Sequence, residues 1–104
     1  MVYTATFEVF IYQDEEDNLF YAECPSLDLV DFGDTKEQAK SNFEVLLDMF
    51  FEDIIERGTF REVMTDLGWK FSDTLAAPRN RRPSPKLVSK SERLTEARQL
   101  AVAY

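Results

Sequence analysis

The residues of this chain best suited to chemistry are its acids. Asp14, Glu15, Glu16 and Asp17 stand in one unbroken polar run, and Glu8, Glu23 and Asp31 fall in segments that alternate apolar and polar residues. Carboxylates at neighbouring strand ends, converging in space, can hold metal ions for hydrolysis. The run at 14–17 lacks the alternate spacing and central glycine of a calcium loop, and it reads as a solvated turn. The chain contains no histidine, which removes every Ser-His, Cys-His or His-metal arrangement. Cys24 is the single cysteine. It can form no internal disulfide and no thiolate metal site, and it reads as a small buried apolar group. Gly33, Gly58 and Gly68 are the only glycines and make no phosphate-cradling loop. The expectation is a chain that is not an enzyme, with no catalytic residue, no metal ligand and no cofactor.

Charge suggests binding instead. The net charge is −8, unevenly spread. From Ala76 to Tyr104 the basic residues are Arg79, Arg81, Arg82, Lys86, Lys90, Arg93 and Arg98, against Glu92 and Glu96, a net +5 that leaves −13 for the rest. An acidic body repels nucleic acid and attracts a basic protein; a basic tail does the reverse. Glu23, Asp28 and Asp31, on and beside two short strands, are the candidates for meeting a basic partner. A solvated edge guarded against aggregation explains the acids around the third strand equally well. Arg79, Arg81 and Arg82 are the nucleic-acid candidates, but no aromatic is interleaved among them for base stacking. The competing reading there is a solvated basic tail.

The elements that must position these residues follow from periodicity. Tyr3, Ala5, Phe7, Val9 and Ile11 alternate with more polar neighbours over a long strand with one buried face. The residues between them, with Phe10, Tyr12, Leu19 and Tyr21, fall on the opposite face and form an apolar patch for a partner if exposed. A polar hairpin loop follows, then a strand at Leu19–Cys24 ended by Pro25, which has no N–H for the ladder, then a short strand at Leu29–Phe32. Asp34 with Glu37, or Thr35 with Gln38, makes a capping box for a helix running to about Arg57. Its apolar stripe is Ala39, Phe43, Leu46, Leu47, Phe50 and Ile54, and Gly58 is placed to close it. Thr59 and Glu62 are expected to cap a short second helix ended by Gly68, and Trp69–Leu75 reads as a fourth strand. Pro78, Pro83 and Pro85 mark a linker, and Ser89–Tyr104 is expected to form a short helix on Leu94, Ala97, Leu100 and Ala101.

The expected fold class is therefore α+β, in the order β-β-β-α-(α)-β. Its sheet has three to four strands, mostly antiparallel, with one long helix packed on a face. Residues 1–75 form this domain and residues 76–104 a basic Pro/Arg-rich tail. The first three strands meander, and the fourth returns parallel to a neighbour after a helical crossover. No leader segment is read at the N-terminus, and no apolar run approaches the ~20 residues of a membrane span, so a cytoplasmic, non-membrane protein is expected.

The centre of the chain resembles the HicB-like family of antitoxins. The resemblance is carried by Tyr21-Ala22-Glu23-Cys24-Pro25-Ser26-Leu27-Asp28 and Phe32-Gly33-Asp34-Thr35-Lys36-Glu37-Gln38-Ala39, with Gly58-Thr59 and Leu67-Gly68-Trp69-Lys70 resembling the close of such a module. It spans about Val2 to Phe71. It implies a partial RNase H-like fold without catalysis, whose partner is a small basic HicA-like toxin that cleaves RNA, and a homodimer or higher homo-oligomer. Many members add a C-terminal DNA-binding domain. The residues after Leu75 are too few for a helix-turn-helix. The alternatives left open are a tail-dependent DNA-binding regulator and, ranked last, a metal-dependent nuclease.

Overall fold

The computed structural model describes residues 1–71, 75–78 and 91–102. Its elements are β1 (Val2–Gln13), β2 (Phe20–Cys24), β3 (Leu29–Gly33), α1 (Lys36–Glu56), α2 (Phe60–Asp66), β4 (Lys70–Phe71), β5 (Leu75–Ala76) and β6 (Glu92–Ala101). The architecture is α+β: a mixed open sheet of six strands with two helices. Among the described residues, no helix is long and apolar enough to cross a membrane.

The alternation in β1 decides the layers. Tyr3, Ala5, Phe7, Val9 and Ile11 are buried, and Ala39, Phe43, Leu47, Phe51 and Ile54 of α1 are buried with them. The ring pairs Phe7–Phe51, Tyr3–Phe60 and Tyr3–Phe71 lie at 6.4, 5.9 and 5.3 Å, in the range of favourable aromatic packing. Thr35 caps α1 by accepting from the Gln38 N–H at 3.0 Å. The Gln38 side chain returns to the Asp34 N–H, so the expected box closes one residue before the cap. Both helices end on glycine at positive φ, Gly58 at 71° and Gly68 at 95°. Paired bonds, Gly58 N–H to Ile55 and Thr59 N–H to Ile54, then Gly68 N–H to Thr65 and Trp69 N–H to Met64, form two Schellman closures that need the left-handed conformation. Thr59 makes no capping bond to α2; its hydroxyl faces the Ile54 carbonyl instead.

The first three strands meander antiparallel, as expected. The segment read as one fourth strand is two short strands, β4 and β5, paired antiparallel. The parallel return is made by β5, with Leu75 beside Ala5. Trp69 turns inward before β4 and donates its indole N–H to the Ser26 carbonyl at 2.8 Å.

The largest departure lies in the tail. The helix expected at Ser89–Tyr104 is instead β6, paired antiparallel with β1 from Val2↔Ala101 to Ile11↔Glu92. Helix-forming residue types are overridden by tertiary context. β1 offers a whole free edge, and Leu94, Leu100 and Val102 pack against the core. Among the described residues the sheet consequently has six strands where three to four were expected.

Backbone parity fixes which edge each strand occupies. Met1 and Val102 exchange both backbone bonds, so odd residues of β1 face β6. Even residues face the other edge, where the Asp14 N–H reaches the Leu19 carbonyl. That second edge is shared: β2 takes its upper part at Phe10–Gln13 and β5 touches Ala5. Extending the register of Phe10↔Glu23 brings Pro25 opposite Glu8, at a position that demands an N–H. Proline has none, so β2 leaves the sheet there. A cleft of about 320 Å³ opens between Pro25 and Pro78 along Thr6–Glu8.

Candidate partner-binding surface

The face of the sheet away from α1 holds an aromatic row set by register. Tyr12 stands opposite Tyr21, and Tyr21 opposite Phe32. The tyrosine rings stack at 5.5 Å with a 12° interplanar angle, and Tyr21 meets Phe32 at 5.9 Å. Side chains directly opposite across antiparallel strands are the closest neighbours a sheet allows. The next row is Arg93, Phe10, Glu23 and Val30; Phe10, expected to join an open patch, is instead buried. Arg93 lies over the Phe10 ring at 5.4 Å and pairs with Glu8 at 3.7 Å. Phe32 and Val30 are half exposed, at 52% and 50%, and they end the rows on the outermost strand of this side.

Carboxylates are tied into this surface by the phenols. Tyr12 Oη donates to Glu23 Oε1 at 3.1 Å, and Tyr21 Oη to Asp17 Oδ2 at 2.5 Å. Burial, then the adjacent Glu23 carboxylate, pushes the Tyr12 phenol up. The bond to Asp17 does the same for Tyr21. Both phenols therefore stay protonated donors, and each holds its carboxylate beside an aromatic face. An aromatic face flanked by fixed carboxylates receives a guanidinium or ammonium group, by cation–π attraction and charge-assisted hydrogen bonding.

The three acids singled out from sequence separate. Glu23 lies on this face. Asp28 sits in the β2–β3 turn at φ 56° and shares with Glu23 a shallow groove of about 220 Å³. Asp31 is opposite Ala22, on the helix side, and its carboxylate accepts the Phe32 N–H. Of the strand acids weighed for metal chemistry, Glu8 is engaged by Arg93, and Glu23 and Asp31 point to opposite faces. Among the described residues no group of three or more His, Cys, Asp or Glu is placed to hold a metal. Arg79, Arg81 and Arg82 lie outside the described residues. Cys24 is buried, and that burial pushes its thiol up.

A second constellation was invisible to sequence reading, because it joins α1 to β6. Arg98 pairs with Glu44 and approaches Asp48 at 4.0 Å and Glu96 at 3.8 Å. Lys36 pairs with Glu92, and Lys40 lies 4.0 Å from it. Glu96 Oε2 is sealed from water without a hydrogen-bond partner, beside the Glu44 carboxylate in a cavity of about 80 Å³. Burial first, then Glu44, pushes the Glu96 carboxyl up to about 7, with Arg98 opposing.

Comparison with protein-family models, with curated proteins and with solved structures returns no match.

Proposed function

We propose that this chain is a non-catalytic protein-binding module of the HicB-like, partial RNase H-like kind, an antitoxin that covers a small basic RNA-cleaving toxin. The observation that carries this reading is the Tyr12–Tyr21–Phe32 row with its fixed carboxylates Glu23 and Asp17. The face is apolar enough to bury and anionic enough to select a basic partner. Fixed charges of one sign speed encounter with the opposite sign and disfavour wrong partners. Buried aromatic anchors supply most of the affinity in such contacts. Phe32 and Val30 are the accessible anchors, and Tyr21 is the hinge of the row.

The test is genetic and then physical. A small basic reading frame beside this gene is expressed alone and with this chain. The reading expects growth arrest by the small protein, relief by the wild-type chain, and loss of relief with the exposed-face pair Phe32→Asp and Val30→Asp. Replacing Arg79, Arg81 and Arg82 together by Ser leaves relief intact under this reading. It abolishes activity if the chain instead works on DNA through Arg79, Arg81 and Arg82. Relief by the double variant equal to wild type overturns the proposed surface.

A further inference from the structure

We propose that two copies of this chain pair through β6, antiparallel and edge to edge, with Ala97 on the two-fold axis. The inference starts from parity. Even residues of β6 bond to β1, so the N–H and C=O groups of Arg93, Thr95, Ala97, Gln99 and Ala101 point to the outer edge. All five residues are exposed. Among the described residues no strand pairs on that side. The Ala97 carbonyl is capped there by the Arg98 guanidinium at 3.2 Å, which agrees with its outward direction. A long open edge is a template for another strand, and proteins usually blunt it with proline, short length, charged side chains or charges that point inward; Glu96 and Arg98 point inward on β6, so only a register that sets them opposite each other removes that guard. Residues 91–102 contain neither proline nor lysine, and the strand is ten residues long.

Register then selects the occupant. An axis at Ala97 pairs all five outward residues: Ala97 with itself, Thr95 with Gln99, and Arg93 with Ala101. On the helix side it sets Leu94 opposite Leu100 and Glu96 opposite Arg98, each occurring twice. Shifting the axis to Glu96 puts that acid opposite itself. Shifting it to Thr95 puts Leu94 opposite Glu96 and leaves Gln99 and Ala101 unpaired within the strand. Like charges directly opposite are unfavourable, and unlike charges or apolar pairs are favourable. The Ala97 register is the self-complementary one, so the occupant is a second copy of the chain and not an unrelated strand. It also brings a second guanidinium to Glu96, whose Oε2 has no hydrogen-bond partner in the single chain. Pairing at Ala97 frees Arg98 from the Ala97 carbonyl to make that contact.

The experiment uses the full chain. Sedimentation equilibrium at micromolar to sub-millimolar concentration is expected to give twice the 12.1 kDa chain mass, dissociating on dilution. Amide hydrogen exchange in the dimer is expected to show protection at 93, 95, 97, 99 and 101 that is lost on dilution, while even-numbered amides of β6 stay protected in both forms. Ala97→Lys and Ala97→Glu each place like charges on the axis at an exposed position and are expected to weaken the dimer by ~10-fold or more, and an equimolar mixture to restore it. A wild-type chain that stays monomeric throughout overturns the proposal, as does a dimer whose odd-numbered β6 amides exchange as fast as in the monomer. A dimer indifferent to both Ala97 substitutions overturns it equally. The exchange pattern needs no variant, so misfolding of either one leaves the test intact.

Discussion

Replacing Glu96 by Gln isolates a pH response that no other ordinary side chain can mimic. Below the usual carboxylate range, folded and unfolded chains both carry the Glu96 proton, and there is no penalty. As pH rises through 4.5, the unfolded chain releases it, while the folded chain holds it until about 7. Stability therefore falls across that window and levels off above it. From pH 5.5 to the folded value the span is about 1.5 units, or roughly 2 kcal/mol at full strength. Glu96 keeps 21% of its side-chain surface in water, so screening halves this to about 1 kcal/mol. For a domain of this length that is a fall of about 4–5 °C in Tm. The window is otherwise quiet, because the chain has no histidine. Urea unfolding at pH 5.5, 6.5, 7.5 and 8.5, at a concentration where the chain is monomeric, measures it. Wild type is expected to lose about 1 kcal/mol and Glu96→Gln to stay flat. Parallel curves for the two proteins, or a wild type that gains stability with pH, refute the argument that burial beside Glu44 holds the Glu96 proton.

Other substitutions test the remaining links. Leu47→Ala empties a fully buried site where α1 meets the sheet and should cost 2–5 kcal/mol in denaturant unfolding. Thr35→Ala removes the α1 cap bond and should cost about 1 kcal/mol, whereas Thr59→Ala, with no capping bond to lose, should cost clearly less. Buried Cys24, with its thiol pushed up, should react slowly with a disulfide reagent at pH 8 and at the free-thiol rate in urea; equal rates would place it at the surface. Dimerisation sets Arg98 of a second copy beside Glu96, so the dimer should tighten from pH 5.5 to 8 in sedimentation equilibrium, opposite in sign to single-chain stability, and Glu96→Gln should abolish that trend.

The legible part of the fold is the part whose patterns are local. Period-two alternation placed β1 and its buried face residue by residue, and Pro25 marked the end of β2. Thr35 and Gly58 marked the ends of α1, because caps and left-handed closures are written in one or two residues. The other face was legible as alternation through Phe10, Tyr12 and Tyr21. Val30 and Phe32 completed the rows only through pairing, since a five-residue strand shows too few alternations to reveal which side is open. The tail was misread because Leu94, Ala97, Leu100 and Ala101 suit a helical stripe, while Glu96 and Arg98 interrupt the apolar side of the strand. Those two interruptions are the α1–β6 charge cluster. It depends on Glu44 and Asp48, about fifty residues earlier in the chain, so no local window contains it.

The two proposed surfaces are compatible because β1 keeps them apart. The aromatic row runs from Tyr12 through β2 to Phe32 on β3, at one side of the sheet. The dimer edge is β6, at the other side of β1. A second copy joined to β6 extends the sheet away from the aromatic row, so it leaves Val30 and Phe32 as exposed as they are in one chain. Each copy then offers its own basic-partner face, and a two-fold dimer presents two. Two linked sites on a partner that is itself paired, or that is present at several copies on one RNA, bind with an effective concentration set by the rigid sheet and not by diffusion. A monomeric chain with the same face would hold the same partner more weakly without losing a single contact to it. Ala97→Lys, which touches only the axis, therefore separates contact from avidity: it should leave one-to-one affinity for the partner unchanged and weaken only the paired complex.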